Sequence, residues 1–149
     1  MSRKRLVREL STKSPEFSLE LINDDLTRWT GLLQGPKDTP FEGGEFRIEF
    51  RVPENYPYVA PKVTFRTRIF HPNVHFESGE ICLDILKTDW SPAWSLESIC
   101  RAILVLLATP NSDSPLNCDA GNMLRAGDAR AYNSVARMYT VDYARKESR

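Results

Sequence analysis

The chain has 149 residues, of which 41% are hydrophobic and 27% charged, which is typical of a soluble globular protein with a core of its own. Its 20 basic and 20 acidic residues cancel, which argues against general binding to nucleic acid or to a membrane surface. The 3 cysteines form no C-x-x-C pair, so we expect no structural metal site, and their low number suits the reducing cytoplasm.

The first predicted helix covers Ser2–Ser11. Leu6, Val7 and Leu10 recur at helical spacing and predict one apolar face, with basic side chains over much of the remaining surface. Two interpretations of the basic residues stay open: a solvated helix face, and a docking surface for an acidic partner.

Four strands are predicted after this helix. Apolar residues alternate with polar ones over 17–21, 29–33 and 46–52, and a fourth, shorter strand covers about Lys62–Phe65. Turn-forming residues lie between the first three strands. Short turns between consecutive strands predict an antiparallel meander.

Two proline-bearing loops interrupt the regular pattern. Prolines exclude Tyr56-Pro57-Tyr58 from a central strand and predict an ordered loop, in which both aromatic side chains could pack inward. In the second loop, over 89–94, we expect Trp90 to pack beneath the segment that contains Cys82.

The last third of the chain is predicted to be helical. Ser95 is the expected N-cap of a central helix that ends near Ala108, and its apolar second half indicates burial. A shorter helix covers about 119–126, and Asp128 caps a long final helix. The apolar stripe of that last helix is expected at Tyr132, Val135, Ala136, Tyr139 and Tyr143. The order of elements predicts one α+β domain over 1–149.

The stretch from His71 to Leu86 carries the strongest functional signal. Pro72 stiffens the turn that it shares with His71 and Asn73. Gly79 permits a tight reversal because glycine tolerates positive φ. Cys82 then follows at the junction of this loop with an apolar run, a placement that holds a nucleophile firmly and leaves it reachable.

This stretch resembles the active-site segment of ubiquitin-conjugating enzymes. His71-Pro72-Asn73 and Gly79-Glu80-Ile81-Cys82-Leu83-Asp84 carry the resemblance, and Gly43-Gly44 and Trp90-Ser91-Pro92 add to it. Arg125-Ala126-Gly127-Asp128 and other segments are similar to the peroxisomal branch of that family. The resemblance implies the ubiquitin-conjugating fold, with an N-terminal helix, a four-stranded antiparallel meander, a central buried helix and C-terminal helices.

The resemblance also implies a function. Cys82 would carry ubiquitin as a thioester without a cofactor and transfer it to the import receptor for peroxisomal matrix proteins. The implied partners are ubiquitin, the ubiquitin-activating enzyme, RING-type peroxisomal ligases and a membrane-anchored peroxin. That peroxin would recruit this cytoplasmic protein to the peroxisomal membrane.

Individual roles follow from the resemblance. The catalytic set would be Cys82, Asn73, Asp113 and Ser114. Residues expected to contact ubiquitin are Leu83, Asp84, Asn111 and Leu116. Residues expected to face a ligase or the activating enzyme are Lys4, Arg5, Arg8, Tyr58, Ser91, Pro92 and Ala93, with Tyr58 exposed and Tyr56 buried.

Some roles stay open. The Asn73 amide could stabilise a developing oxyanion, or only its own loop. His71 is expected to be structural, which disfavours a Cys-His protease. Ser114 stands where many family members have an acid directly before the proline, which favours a cysteine over a lysine acceptor because a thiol ionises more readily. Cys100 is expected to be buried and inert, and Cys118 partly exposed near the catalytic gate.

Two further functions remain possible from the sequence. A non-catalytic adaptor could use the same fold to bind ubiquitin or a ligase, with Cys82 incidental. Alternatively, the chain could be a conjugating enzyme for another ubiquitin-like modifier, since modifier choice depends on contacts between the first helix and an activating enzyme.

Overall fold

A computed structural model describes residues 2–146, which form four α-helices and one four-stranded sheet. The helices are α1 (Arg3–Glu9), α2 (Leu96–Ala108), α3 (Cys118–Arg125) and α4 (Ala129–Tyr143). The strands are β1 (Phe17–Ile22), β2 (Asp25–Gln34), β3 (Glu45–Arg51) and β4 (Lys62–Phe65). This order confirms the predicted α+β fold.

The sheet is an antiparallel meander in which each strand pairs with the next along the chain. Trp29 lies opposite Leu21 on one side and Phe50 on the other, and Ile48 lies opposite Gly31. Trp29, Ile48 and Phe50 are fully buried, whereas their neighbours along the strands are partly or fully exposed. The period of two that predicted these strands is therefore confirmed.

Helix α2 begins with a reciprocal pair of serine bonds. The Ser95 hydroxyl accepts from the Ser98 amide at 3.2 Å, and the Ser98 hydroxyl accepts from the Ser95 amide at 3.1 Å, which confirms Ser95 as the N-cap. The helix buries one face, formed by Leu96, Ile99, Cys100, Ile103, Leu104 and Leu107. The expected burial of this central helix is confirmed on that face, whereas Val105 points away from it and is 64% exposed.

Helix α1 is shorter than expected and buries a different face. Leu6 is fully buried, but Val7 is 47% and Leu10 42% exposed, so the predicted three-residue apolar face is wrong. The second buried position is Glu9, three residues after Leu6. The buried side chains of helix α1 are therefore one leucine and one carboxylate.

The two C-terminal helices start at side-chain caps. Asn117 accepts from the Ala120 amide at 3.1 Å, so α3 begins one residue before its predicted start. The predicted cap Asp128 accepts from the Ala131 amide at 3.0 Å. Of the stripe predicted for α4, Tyr143 is an exception, since it is 48% exposed. None of the helices described within residues 2–146 has the length and apolar character needed to cross a membrane.

Candidate active site

Cys82 is held by backbone contacts on one side and is partly exposed on the other. Its amide donates to the Asn73 carbonyl at 2.9 Å, directly after a bridge between Val74 and Ile81. A second bridge, between Thr64 and Glu80, ties the preceding loop to β4. The thiol is thus carried on backbone that the sheet keeps in place.

Gly79 makes the reversal before the cysteine. Its φ is +77°, and its carbonyl accepts from the Phe65 amide at 2.9 Å. A Cβ at position 79 would lie 2.0 Å from the Phe65 carbonyl oxygen, so the position excludes every side chain. The glycine reversal predicted from the sequence is confirmed.

His71 is a structural residue. Its ring is fully buried, Nδ1 accepts from the Asn73 amide at 3.0 Å, and Nε2 donates to the Leu106 carbonyl at 2.9 Å. Burial lowers the pKa of His71 to about 4, so the imidazole is neutral at physiological pH. With both nitrogens engaged, it cannot serve Cys82 as a base, and the expected structural role is confirmed.

Asn73 joins the cysteine segment to the loop that follows α2. Its Nδ2 donates to the Asn111 carbonyl at 2.7 Å, and its Oδ1 accepts from the Asn111 amide at 2.9 Å. The side chain is buried, and this pair of bonds fixes its orientation. An amide nitrogen has two protons, so one N–H of Asn73 remains for a further acceptor.

The loop over 111–117 is fastened to the same turn at its other end. The amides of Leu116 and Asn117 both donate to the Pro72 carbonyl, at 2.8 and 3.1 Å. Asp113 and Ser114 lie exposed between these attachment points, and Ser114 has a φ of +141°, in the region that favours glycine. The fold therefore gathers these predicted site residues around His71-Pro72-Asn73.

The segment after Cys82 is a short 3₁₀ turn over Asp84–Leu86. Leu83 is half-buried and Asp84 is exposed. The Asp84 carbonyl accepts from the amides of Lys87 and Asp89, at 3.0 and 3.1 Å. Both residues expected to contact ubiquitin here are therefore partly or fully accessible beside the cysteine.

Four of the residues expected to face partner proteins lie close together, namely Arg5, Arg8, Tyr58 and Pro92. Tyr58 is 77% exposed and Tyr56 only 1%, as the family resemblance implied. Arg5, Arg8 and Tyr58 line one hollow. The Arg5 guanidinium also donates to the carbonyls of Pro92 and Trp94, which brings the second loop to α1.

Arg5 is nevertheless not a free docking cation. Besides those two bonds, its guanidinium lies 5.5 Å from the centre of the Tyr56 ring. Lys4 and Arg8 are the basic residues of the predicted docking set that remain exposed on α1.

Trp90 contacts the tyrosine–proline turn. Its indole N–H donates to the Pro57 carbonyl at 2.8 Å, and its ring centre lies 6.2 Å from that of Tyr56. The hydrogen bond and the ring contact are made with the tyrosine–proline turn and not with the cysteine loop. A tryptophan that needs an acceptor for its N–H is satisfied there by a carbonyl.

Sequence reasoning missed the role of Glu9. The residue is 7% exposed, and its carboxylate accepts from the Tyr56 hydroxyl at 2.9 Å and from the Leu96 amide at 2.6 Å. Burial raises the pKa of Glu9, an effect that the two hydrogen bonds and Arg5 partly offset. No sequence pattern pointed to it, because its partners lie 47 and 87 residues away.

No group of three or more His, Cys, Asp or Glu side chains within residues 2–146 is arranged to hold a metal ion. The chemistry available at this site is therefore that of a partly exposed thiol, one amide N–H and exposed oxygens on the facing loop.

Comparison with known proteins defines the class. The family model for ubiquitin-conjugating enzymes matches residues 3–140, and the chain belongs to that family and is an enzyme of ubiquitin conjugation. It is 57% identical over 145 residues to Protein PEROXIN-4 of Arabidopsis thaliana, with 93% of this chain and 92% of that protein covered. It is 56% identical over 144 residues to the ubiquitin-conjugating enzyme E2 pex4 of Dictyostelium discoideum, with 93% and 97% covered.

Solved structures agree with this placement. The ubiquitin-conjugating enzyme Pex4p of H. polymorpha, solved in complex with the soluble domain of Pex22p, aligns with a TM-score of 0.90 at 36% identity over 97% of this chain and 99% of that one. An E2 domain from Toxoplasma gondii aligns with a TM-score of 0.91 at 34% identity, over 97% and 100% of the two chains. The chain is thus similar to enzymes of the peroxin-4 type in both sequence and fold.

Proposed function

We propose that this protein carries ubiquitin as a thioester on Cys82 and transfers it to the import receptor for peroxisomal matrix proteins. The observation that carries the first half is the partly exposed Cys82, bonded through its backbone to Asn73, in a chain of the ubiquitin-conjugating family. The second half is supported by the similarity to peroxin-4 proteins.

Charging is an exchange of one thioester for another. The Cys82 thiolate attacks the carbonyl carbon of the thioester that links ubiquitin to the activating enzyme. A new carbon–sulfur bond forms, and the thiolate of the activating enzyme leaves. Because the exchange is nearly balanced in energy, the protein contributes mainly by positioning the reactants, which the attachment of Cys82 to Asn73 supports.

Transfer requires stabilisation of the oxyanion that forms at the same carbonyl. We assign this role to the N–H of Asn73 that the Asn111 carbonyl does not use. The same side chain also holds the facing loop, so the two interpretations left open by the sequence are compatible in one geometry. The acceptor thiol or amine then displaces Cys82 as a thiolate.

The acceptor is proposed to be a cysteine. Ser114 and Asp113 are both exposed on the loop that faces the site, and no carboxylate directly precedes Pro115 to take a proton from an amine. A thiol has an ordinary pKa about two units below that of a lysine amine, so it needs less help.

The partners are proposed by analogy with the relatives. The Pex4p of H. polymorpha forms a complex with the soluble domain of Pex22p, and we infer that a related membrane-anchored peroxin recruits this protein from the cytoplasm to the peroxisome. Lys4 and Arg8 would meet the activating enzyme, and Tyr58 and 91–93 would meet a RING-type ligase. Leu83, Asp84, Asn111 and Leu116 would contact the carried ubiquitin.

The decisive assay is thioester formation with ubiquitin, the ubiquitin-activating enzyme and ATP, resolved on a non-reducing gel. The expected result is an adduct that thiol reagents remove and that Cys82→Ala abolishes, with Cys118→Ser as the matched control that retains it. Folded protein without any adduct would overturn the proposal. Charging with other modifiers would then separate a carrier of another modifier from a non-catalytic adaptor.

A further inference from the structure

Helix α1 has little apolar contact to hold it in place. It has seven residues, too few for a helix that is stable alone, and Leu6 is its one buried apolar side chain. Val7 is 47% exposed. The orientation of Lys4 and Arg8 on its outer side must therefore be fixed by something other than apolar packing.

Glu9 supplies that attachment through two other segments. The Tyr56 hydroxyl belongs to the tyrosine–proline turn, and the Leu96 amide is the first of α2. Ser95 and Ser98 bond each other's amides at that helix terminus, and Glu9 accepts from the amide between them. A carboxylate suits this position, because the N-terminal end of a helix carries partial positive charge.

Arg5 lies one helical turn before Glu9 and reinforces the attachment. It donates to the carbonyls of Pro92 and Trp94 and lies over the Tyr56 ring. Two polar side chains at i and i+4 thus fix α1 to three segments that are remote in sequence. Directional bonds of this kind set the rotation of a helix about its axis, which a single leucine contact does not.

A buried carboxylate is a costly choice for a purely structural contact. Burial raises the pKa of Glu9, which means that the surroundings disfavour its charged form. Replacement of a buried charged pair by apolar residues of similar volume is often neutral or even stabilising. The charged residue is therefore better explained by the specific orientation that its two bonds enforce.

We propose that Glu9 is a positioning residue for the activating-enzyme surface. Its bonds to the Tyr56 hydroxyl and the Leu96 amide orient α1 so that Lys4 and Arg8 meet that partner. The inference rests on the proposed function, because it requires charging by the ubiquitin-activating enzyme.

The test is the steady-state kinetics of charging by the ubiquitin-activating enzyme, with wild type beside Glu9→Ala and Glu9→Gln. Loss of both bonds in Glu9→Ala should raise KM for this protein about tenfold with kcat unchanged, as expected for lost binding. Glu9→Gln keeps an oxygen for the Leu96 amide and gains an NH2 group that can donate to the Tyr56 hydroxyl oxygen, so with both contacts retained it should stay close to wild type. Discharge of the preformed thioester to free cysteine should be equal in all three.

Two controls separate positioning from general destabilisation. Val63→Ala shortens a core residue of β4 and should lower the melting temperature without raising KM. Hydrogen exchange should show faster exchange of the amides of α1 in Glu9→Ala, with the sheet unchanged. If Glu9→Ala does not fold, Tyr56→Phe removes one of the two bonds and should raise KM in its place.

An unchanged KM in folded Glu9→Ala, or an equal rise in Val63→Ala, would overturn the inference. Failure of the proposed function is a different result, namely wild type that forms no thioester. If wild type forms no thioester, the inference fails together with the proposed function, because it requires charging. Hydrogen exchange of the α1 amides would then show only whether Glu9 anchors the helix.

Discussion

At the scale of single residues, the site depends on polar groups whose bonding capacity is used inside the protein. His71 uses both ring nitrogens and Asn73 both ends of its amide, so neither is free to move. The thiol of Cys82 is the group left accessible beside them. Rigid neighbours around one reachable nucleophile suit a reaction that is governed by positioning.

The neutral state of His71 predicts a dependence of stability on pH. Its pKa is about 4 in the folded protein and about 6.5 in the unfolded chain, so the unfolded state binds more protons between these values. Stability contributed by His71 is complete above pH 6.5 and is lost as the pH falls towards 4. The loss amounts to about 3 kcal/mol.

This dependence can be measured by urea unfolding at pH 7 and pH 4 of wild type and His71→Gln. The difference in free energy of unfolding between the two proteins should shrink at the lower pH. A difference that does not change with pH would mean that the pKa of His71 is not lowered by folding.

Ser114 predicts the choice of acceptor. Ser114→Asp would place an acid directly before Pro115. It should raise the rate of discharge of the ubiquitin thioester to a lysine-only peptide at least tenfold, which is less than a general base typically contributes. Discharge to a cysteine-only peptide should change little. The measurement is single-turnover loss of the thioester, with Ser112→Asp as the control on the same loop, and faster discharge of wild type to lysine than to cysteine would contradict the prediction.

At the scale of elements, the loop before Cys82 is fixed by backbone geometry. The carbonyl of Gly79 accepts from Phe65 in β4, and His75 Nδ1 accepts from the amides of Glu77 and Ser78 at 3.3 and 3.1 Å. Because the loop is short and bonded at several points, a substitution at Gly79 should also shift the backbone at Cys82.

Gly79→Ala is therefore expected to destabilise the protein by more than the ~1–2 kcal/mol that a positive φ costs a residue with a Cβ. Its Cβ would collide with the Phe65 carbonyl oxygen. Gly127→Ala is the matched control, because Gly127 also has a positive φ, +76°, but open space around the Cβ position. Thermal unfolding should show a larger decrease in melting temperature for Gly79→Ala than for Gly127→Ala. Equal decreases would mean that the clash with Phe65 does not contribute.

The elements that could be predicted from the sequence are those whose pattern is local. Alternation along β3 indicated its buried face, and Ser95 and Asp128 marked two helix starts, since each of these signals spans only a few residues. The inner face of α1 could not be predicted, because Glu9 is buried by groups 47 and 87 residues away. The same holds for Trp90, whose acceptor at Pro57 lies 33 residues earlier.

In the candidate site, too, the local features could be predicted from the sequence and the contacts between remote residues could not. Cys82, the turn around His71 and the reversal at Gly79 are visible in one continuous stretch. The pairing of Asn73 with Asn111 is not visible there, since a side chain bonds backbone 38 residues away and asparagine at either position has other ordinary uses.

At the scale of the whole molecule, the fold gives the three cysteines different surroundings. Cys82 is partly exposed, Cys118 is exposed at the start of α3, and Cys100 is fully buried in α2. Burial also raises the pKa of the Cys100 thiol, which keeps it protonated.

Thiol labelling of the native protein should therefore give two reacting groups, with the third appearing only on unfolding. In the native state, Cys118→Ser and Cys82→Ala should each leave one thiol that reacts, and the double variant should leave none. The reaction is followed by absorbance with a chromogenic disulfide reagent, and three fast thiols in native wild type would contradict the burial of Cys100.

The attachment of α1 also has a consequence for synthesis. Helix α1 is made before the sheet and α2, yet the Leu96 amide lies 87 residues after its partner Glu9, and the carbonyls of Pro92 and Trp94 lie 87 and 89 residues after Arg5. The sheet can form earlier, because each strand pairs with the one made just before it. Helix α1 thus acquires these partners late, and a chain stopped before Pro92 would keep only the contacts of Glu9 and Arg5 with Tyr56.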